Sequence, residues 1–197
     1  MKSSSEKFYD QFSFLYPAID WILKPQKKKL FEKINACPCG QLLEIGIGNG
    51  SNLKYYRSHR VTGIDTSRRM LTQARKQAGT NVELFHMNGE KLFFSNESFD
   101  YVVLSHVLAV VDTPGNLLAE VHRVLKPGGK VFVLNHFTPH NGLKYLDQAV
   151  QMVSRFLHLK SLFTLETVPG LQRFTLVSSS DASLFSYFKI LVYEKSL

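Results

Sequence analysis

The sequence has only two cysteines, and they flank a single proline as Cys37-Pro38-Cys39. So short a segment does not close easily into a disulfide, and two thiolates cannot complete a tetrahedral zinc site. A disulfide-built secreted scaffold is excluded, and no metal site is expected. Long apolar runs are also missing. None approaches the ~20 residues of a spanning helix, and mean hydropathy is -0.09. The first residues, Met1-Lys2-Ser3-Ser4-Ser5-Glu6, lack the apolar centre of a secretion signal, so the cytoplasm is the expected compartment. There is no internal repeat and no linker long enough to divide the 197 residues, so one domain is expected. Acidic residues are in deficit, with 16 Asp and Glu against 24 Lys and Arg, a net charge of +8. This surplus attracts polyanions. It leaves nucleic acid, an anionic membrane surface and a phosphorylated small substrate open. Hydrophobic residues make up 44% of the chain, enough to bury a full core.

Apolar residues Phe8, Phe12, Leu15, Ile19 and Ile22 recur at spacings of four and three, which is one helix face. Pro17 should end one helix and open another. The second runs through Trp21, Leu23, Leu30 and Phe31, with Lys27-Lys28-Lys29 on its exposed side. From residue 41 the pattern becomes short apolar strands alternating with helices. Strands are read at 41–46, 60–65, 82–87, 99–104 and 130–134. A helix begins at 51–57, a second is capped by Ser67, and a third opens at Pro114 and stops at Pro127-Gly128-Gly129. A further helix is read over 143–157 and two strands over 174–177 and 185–193. Strands joined by single helices imply right-handed crossovers and a parallel sheet covered on both faces.

Glu44-Ile45-Gly46-Ile47-Gly48-Asn49-Gly50 follows the first strand. Glycines let the chain turn sharply and let a ligand lie against the backbone. The spacing Gly-x-Gly-x-Gly differs from the dinucleotide fingerprint, which disfavours pyrophosphate. Asp65 ends the next strand, 19 positions beyond Gly46. A carboxylate there can accept from both hydroxyls of a ribose.

Together with the strand–helix–Pro-Gly-Gly–strand unit of 99–134, these residues resemble the class I S-adenosylmethionine-dependent methyltransferases. The resemblance covers residues 41–135. It implies a Rossmann-like, seven-stranded, mainly parallel sheet with an antiparallel last strand and helices on both faces. Residues 1–35 would form a helical lid and 36–197 the α/β core. Glu44, Gly46, Gly48, Asn49 and Gly50 would lie along the methionine part of the cofactor. Asp65 and its neighbour Thr66 would hold the ribose. Asn88, Gly89 and Glu90, in the stretch from His86, would meet the adenine, with Asn88 where the family usually has Asp. Ser105 and His106, ending the fourth strand, complete the cofactor set with Tyr9 from the lid.

Nothing in that set names the methyl acceptor. The fourth strand lacks the Asn/Asp-Pro-Pro-aromatic run of enzymes that act on base amino groups, and no cysteine lies near it, so nucleic acid is disfavoured. Tyr9-x-x-Phe12-x-x-x-Tyr16, Phe94-Ser95-Asn96-Glu97-Ser98-Phe99-Asp100 and Val133-Leu134-Asn135-His136 resemble the bacterial phosphatidylethanolamine N-methyltransferases. Pro17 stands where that family has an Asp after the second tyrosine. The resemblance implies a phospholipid amine as acceptor, with Tyr16, Asn135 and His136 as catalytic residues and no obligate protein partner. A soluble or quinone-like acceptor is the alternative, and a non-catalytic protein that binds S-adenosylmethionine is a third. The aromatic face and lysine run of 5–33 would give peripheral contact with an anionic membrane.

Overall fold

A computed structural model describes residues 16–136, 168–182 and 188–196. The helix read over 143–157 and the apolar residues Phe8, Phe12 and Leu15 lie outside them. Among the described residues the elements are α1 (Tyr16–Asn35), β1 (Gln41–Ile45), β2 (Arg60–Asp65), α2 (Arg68–Arg75), β3 (Val82–His86), β4 (Phe99–Ser105), α3 (Pro114–Val124), β5 (Leu125–His136), β6 (Thr175–Asp181) and β7 (Phe188–Glu194). The seven strands form one sheet in the order β3-β2-β1-β4-β5-β7-β6. Every pair from β3 to β5 is parallel, and β7 runs antiparallel to both β5 and β6.

The central strands are apolar without interruption because both of their faces are covered. Alternate residues go to opposite faces. Leu43, Ile45, Val102, Leu104, Val131 and Val133 pack with Leu117, Leu118, Val121 and Val124 of α3. Leu42, Val61, Val103, Phe132 and Leu134 pack on the other face with Leu30, Phe31 and Ile34 of α1 and Leu71 of α2. The carboxyl half of α1 is therefore part of the core.

Three local expectations are corrected. The helix expected from 51 is one 3-10 turn, Leu53–Tyr55, because Asn52 and Tyr56 beside it are drawn inward to Glu44. Helix α3 ends at Val124, ahead of Pro127-Gly128-Gly129, which lies inside β5. That stretch is held by Lys195, which exchanges backbone hydrogen bonds with Gly128 and Gly129. Lys27 is buried rather than exposed, at 4% relative exposure, whereas Lys28 and Lys29 face solvent. The Ser67 cap forms as read, its Oγ accepting from Met70 N–H at 3.3 Å.

If α1 belongs to the core, truncating it must destabilise the whole fold. Leu30 is fully buried, so Leu30→Ala should cost about 2–5 kcal/mol. The urea midpoint should fall with an unchanged slope. A loss below about 0.5 kcal/mol, the range of surface substitutions, would show that α1 is only draped on the sheet.

Candidate functional site

A cleft opens at the carboxyl ends of β1 to β4. It is lined by Ile45, Gly46, Gly48, Ile64, Asp65, Thr66, Met70, Met87, Asn88, Gly89, Glu90, Ser105, His106, Val107, Val110, Val111 and Asp112. The connection after β1 runs toward β2 and the one after its neighbour β4 runs toward β5, in opposite directions along the sheet. That reversal holds the loops apart, and ligands of open α/β sheets bind there.

The turn after β1 is locked by backbone bonds. Gly46 and Ile47 N–H both donate to Ile64 C=O, at 2.8 and 3.0 Å. Gly48 N–H donates to Asp65 Oδ2 at 2.9 Å. Gly46 and Gly48 have φ of +75° and +56°, where side chains are disfavoured. At Gly46 a Cβ would also stand 2.7 Å from Val107 Cγ2. Gly50 serves packing: its Cβ would sit 2.9 Å from Ala74 Cα of α2. Asn49 braces the turn, its Oδ1 accepting from Ser51 N–H and its carbonyl from the Gln77 amide. Neither Asn49 nor Gly50 lines the cleft.

Asp65 accepts Gly48 N–H on one carboxylate oxygen and Ser67 N–H, at 2.8 Å, on the other. A carboxylate offers about four lone-pair sites, so acceptor capacity remains on both oxygens for a ligand diol. Burial pushes its carboxyl above the usual range, opposed by the backbone donors and by His86. Glu44 is fully buried behind the turn and does not line the cleft. Its Oε1 accepts from Asn52 Nδ2 at 2.5 Å and its Oε2 from Tyr56 OH at 2.8 Å. Burial raises its carboxyl to about 7, against those two donors and the charge of Lys27.

The far wall carries the other residues read from sequence. Asn88 Oδ1 accepts Glu90 N–H at 2.9 Å, closing a tight turn around Gly89. Glu90 Oε1 accepts Thr113 N–H at 3.0 Å, and His86 Nε2 donates to Thr66 C=O at 2.8 Å. Ser105 ends β4. His106 follows with φ of +60°, its N–H donating to Leu134 C=O at 2.7 Å. A non-glycine residue in that region stores of order 1 kcal/mol. Its ring stands edge-on to Phe188, centroids 5.7 Å apart.

Asn135 is buried, and it pairs across to Lys189 as His136 pairs to Phe188. The two strand ends thus bring His106, Asn135 and His136 to one corner of the sheet. Tyr16 opens α1, and Tyr9 lies outside the described residues. Sequence reasoning missed Met70, Val107, Val110, Val111 and Asp112 on the cleft wall. The apolar ones carry only a core-like pattern. The place of Asp112 is marked only by Pro114, which opens α3 two residues later.

A family model described as a methyltransferase domain matches residues 43–133. The chain is 34% identical over 164 residues to a phosphatidylethanolamine N-methyltransferase of Cereibacter sphaeroides, covering 79% of this chain and 80% of that protein. The chain belongs to the class I S-adenosylmethionine-dependent methyltransferases. A ubiquinone/menaquinone biosynthesis C-methyltransferase of Desulfotalea psychrophila is 31% identical, over 71% of this methyltransferase and 61% of its own length. In fold, the methyltransferase resembles phosphoethanolamine N-methyltransferase 2 of Haemonchus contortus, solved with S-adenosyl-L-methionine. That likeness has a TM-score of 0.78 at 18% identity and covers 99% of this chain and 60% of that one.

The cofactor of the methyltransferase is S-adenosylmethionine, and the residues present suit it. A Cβ at Gly46 would meet Val107 and Gly48 holds a positive φ, so the backbone there is bare toward a ligand; the two-sided acceptor Asp65 suits a ribose, and apolar Val107, Val110 and Met87 suit a flat base. Among the described residues, the cleft lining includes Asp65, Glu90 and Asp112 but no Lys or Arg. That sign of charge suits a sulfonium cation.

Asp65→Ala removes the brace on Gly48 and the carboxylate that suits a ribose diol. Each charge-assisted bond is worth about 1.5–3 kcal/mol. Calorimetric titration should therefore show S-adenosylhomocysteine binding weakened roughly tenfold or more, and Gly48→Val should block it. In the wild type, affinity should fall on acidification as Asp65 gains its proton, beginning above the ordinary carboxylate range. Unchanged affinity in both folded variants would remove this turn from the cofactor site.

Proposed function

We propose that this methyltransferase N-methylates the amine of a phospholipid such as phosphatidylethanolamine. The observation that carries the reading is the similarity to the Cereibacter sphaeroides enzyme, which extends over 80% of that protein. In this reading Asp65 and Thr66 hold the ribose, the Asn88–Glu90 turn meets the adenine, and the backbone from Gly46 to Gly50 lies along the methionine part. Glu44 supports that backbone from behind, Ser105 and His106 close the near wall, and Tyr9 adds a contact from the amino-terminal segment. The bound cofactor supplies an electrophilic methyl carried on a sulfonium, so the chain need not offer a covalent nucleophile. Its work is to align the acceptor and exclude water.

The acceptor must present a neutral lone pair to the methyl and give up its own proton. Tyr16 is assigned to orient that amine, and an aromatic ring tolerates the growing ammonium charge. Asn135 fixes the corner where β5 ends. His136 is assigned to hold a phosphate or to take the released proton. Among the described residues no helix is long and apolar enough to cross a membrane. A lipid acceptor would then be met by peripheral contact, through the amino-terminal segment and the exposed Lys28 and Lys29. A quinone-like ring acceptor is the second reading, favoured by the Desulfotalea psychrophila relative.

Radiolabelled methyl transfer to a lipid extract and to a soluble metabolite extract separates these readings. Label should enter phospholipid. Tyr16→Phe and His136→Ala should lower turnover by ~10²–10⁴-fold while S-adenosylhomocysteine affinity stays within about twofold of wild type, a shift under 0.5 kcal/mol. Vesicle flotation should rise with anionic lipid, fall with salt, and weaken in Lys28→Gln/Lys29→Gln. Label in a quinone fraction, with no flotation, overturns the lipid reading. Binding without turnover on any acceptor would mark a non-catalytic protein.

A further inference from the structure

A lysine is seldom fully buried, because the cost of stripping water from an ammonium must be met by specific partners. Lys27 is 4% exposed, in the middle of α1. Its Nζ donates to Ser51 Oγ at 3.1 Å, in the residue that follows the last glycine of the turn. Its charge also acts on Glu44. Glu44 in turn binds Asn52 and Tyr56, the residues on either side of the 3-10 turn. Three tethers, Ser51, Asn52 and Tyr56, thus run from the segment of the glycine turn to two buried charges. One charge sits on β1 and the other on α1. None of these five residues lines the cleft.

We propose that Lys27 is a positioning residue for the cofactor cleft. Its buried ammonium ties Ser51 to α1 and favours the Glu44 anion that Asn52 and Tyr56 bind, and so keeps the 46–56 segment in its ligand-binding shape. The inference rests on the cleft being the cofactor site. Both partners of Glu44 meet it as donors, which fits a carboxylate. A protonated carboxyl would set one O–H against two donors, and one tether would have to turn round. Among the described residues, the charged or titratable groups facing Glu44 are Lys27 from α1, Tyr56 from the turn and Asp65 from β2. Lys27 is the cation among these, and Asp65 works the other way. Lys27 holds the Glu44 carboxyl down, so loss of that cation favours its protonated form.

The test compares wild type with Lys27→Met and Lys27→Arg, in S-adenosylhomocysteine affinity and in melting temperature without ligand, from pH 5.5 to about 9. This range spans the Glu44 titration. In wild type, affinity should weaken below about pH 7. In Lys27→Met that midpoint should move upward by about one pH unit or more. Affinity is then reduced at neutral pH and recovered at high pH, and Lys27→Arg should follow wild type. The melting profile supplies a second readout. The folded state holds the Glu44 proton more tightly than the unfolded chain does. Wild type therefore loses stability as pH rises from the ordinary glutamate range to about 7, and Lys27→Met should go on losing it above 7. Superimposable profiles for Lys27→Met and wild type would overturn the proposal. So would an affinity loss equal at every pH that Lys27→Arg fails to rescue. Should wild type bind no S-adenosylhomocysteine at any pH, the cleft assignment fails instead, and the melting profiles alone decide the role of Lys27.

Discussion

The chain must leave β1 in one direction along the sheet and return to its other side for β4, and the site depends on that reversal. Two loops that depart in opposite directions cannot cover the ends of the strands they leave. The uncovered ends are where backbone N–H groups and carboxylates can be aimed at a ligand. Uninterrupted burial of Leu42, Leu43, Val102, Val103 and Leu104 fixes β1 and β4 side by side. With that register set, Gly46, Asp65, Gly89 and Ser105 arrive together at one edge.

Two carboxylates, Glu44 and Asp65, lie close behind that edge, and the chain stabilises them differently. Asp65 is met by backbone donors, which cannot move away and carry no side-chain entropy cost. Its remaining lone pairs stay available to a ligand. Glu44 is met by an amide and a phenol from either side of the 3-10 turn, and it feels the charge of an ammonium from α1. Burying a charge this way costs several kcal/mol unless its partners are well placed. A supporting carboxylate that reaches no ligand can still determine the cleft, because the turn's shape depends on which groups it binds.

The features legible in the sequence were those with a local cause. Glycine spacing reports backbone conformation, strand hydrophobicity reports burial on two faces, and Ser67 and Pro114 mark helix starts through their own chemistry. Lys27 was hidden by its neighbours: in a run of three lysines, one must point about 100° away from the next on a helix, and composition does not say which turns inward. The 3-10 turn at 53–55 was hidden because Asn52 and Tyr56 answer to a residue eight and twelve positions earlier. Pro127-Gly128-Gly129 reads as a break because both residue types weaken strands. It lies within β5 because Lys195, near the other end of the chain, supplies the matching backbone groups.

Charge is divided between the outside and the cleft. Arg57, Arg60, Arg68, Arg69, Arg75 and Lys76 are exposed on the segments around β2 and α2. The cleft wall is lined instead by Asp65, Glu90 and Asp112. These basic groups therefore face solvent and any anionic partner, at distances where salt screens them. Acidic groups act over a few ångströms in a partly dry site, where each charge counts for more. A cationic cofactor meets carboxylates there. The net charge of +8 is thus no guide to the ligand in the cleft. It describes only the surface that a lipid headgroup or another polyanion would approach.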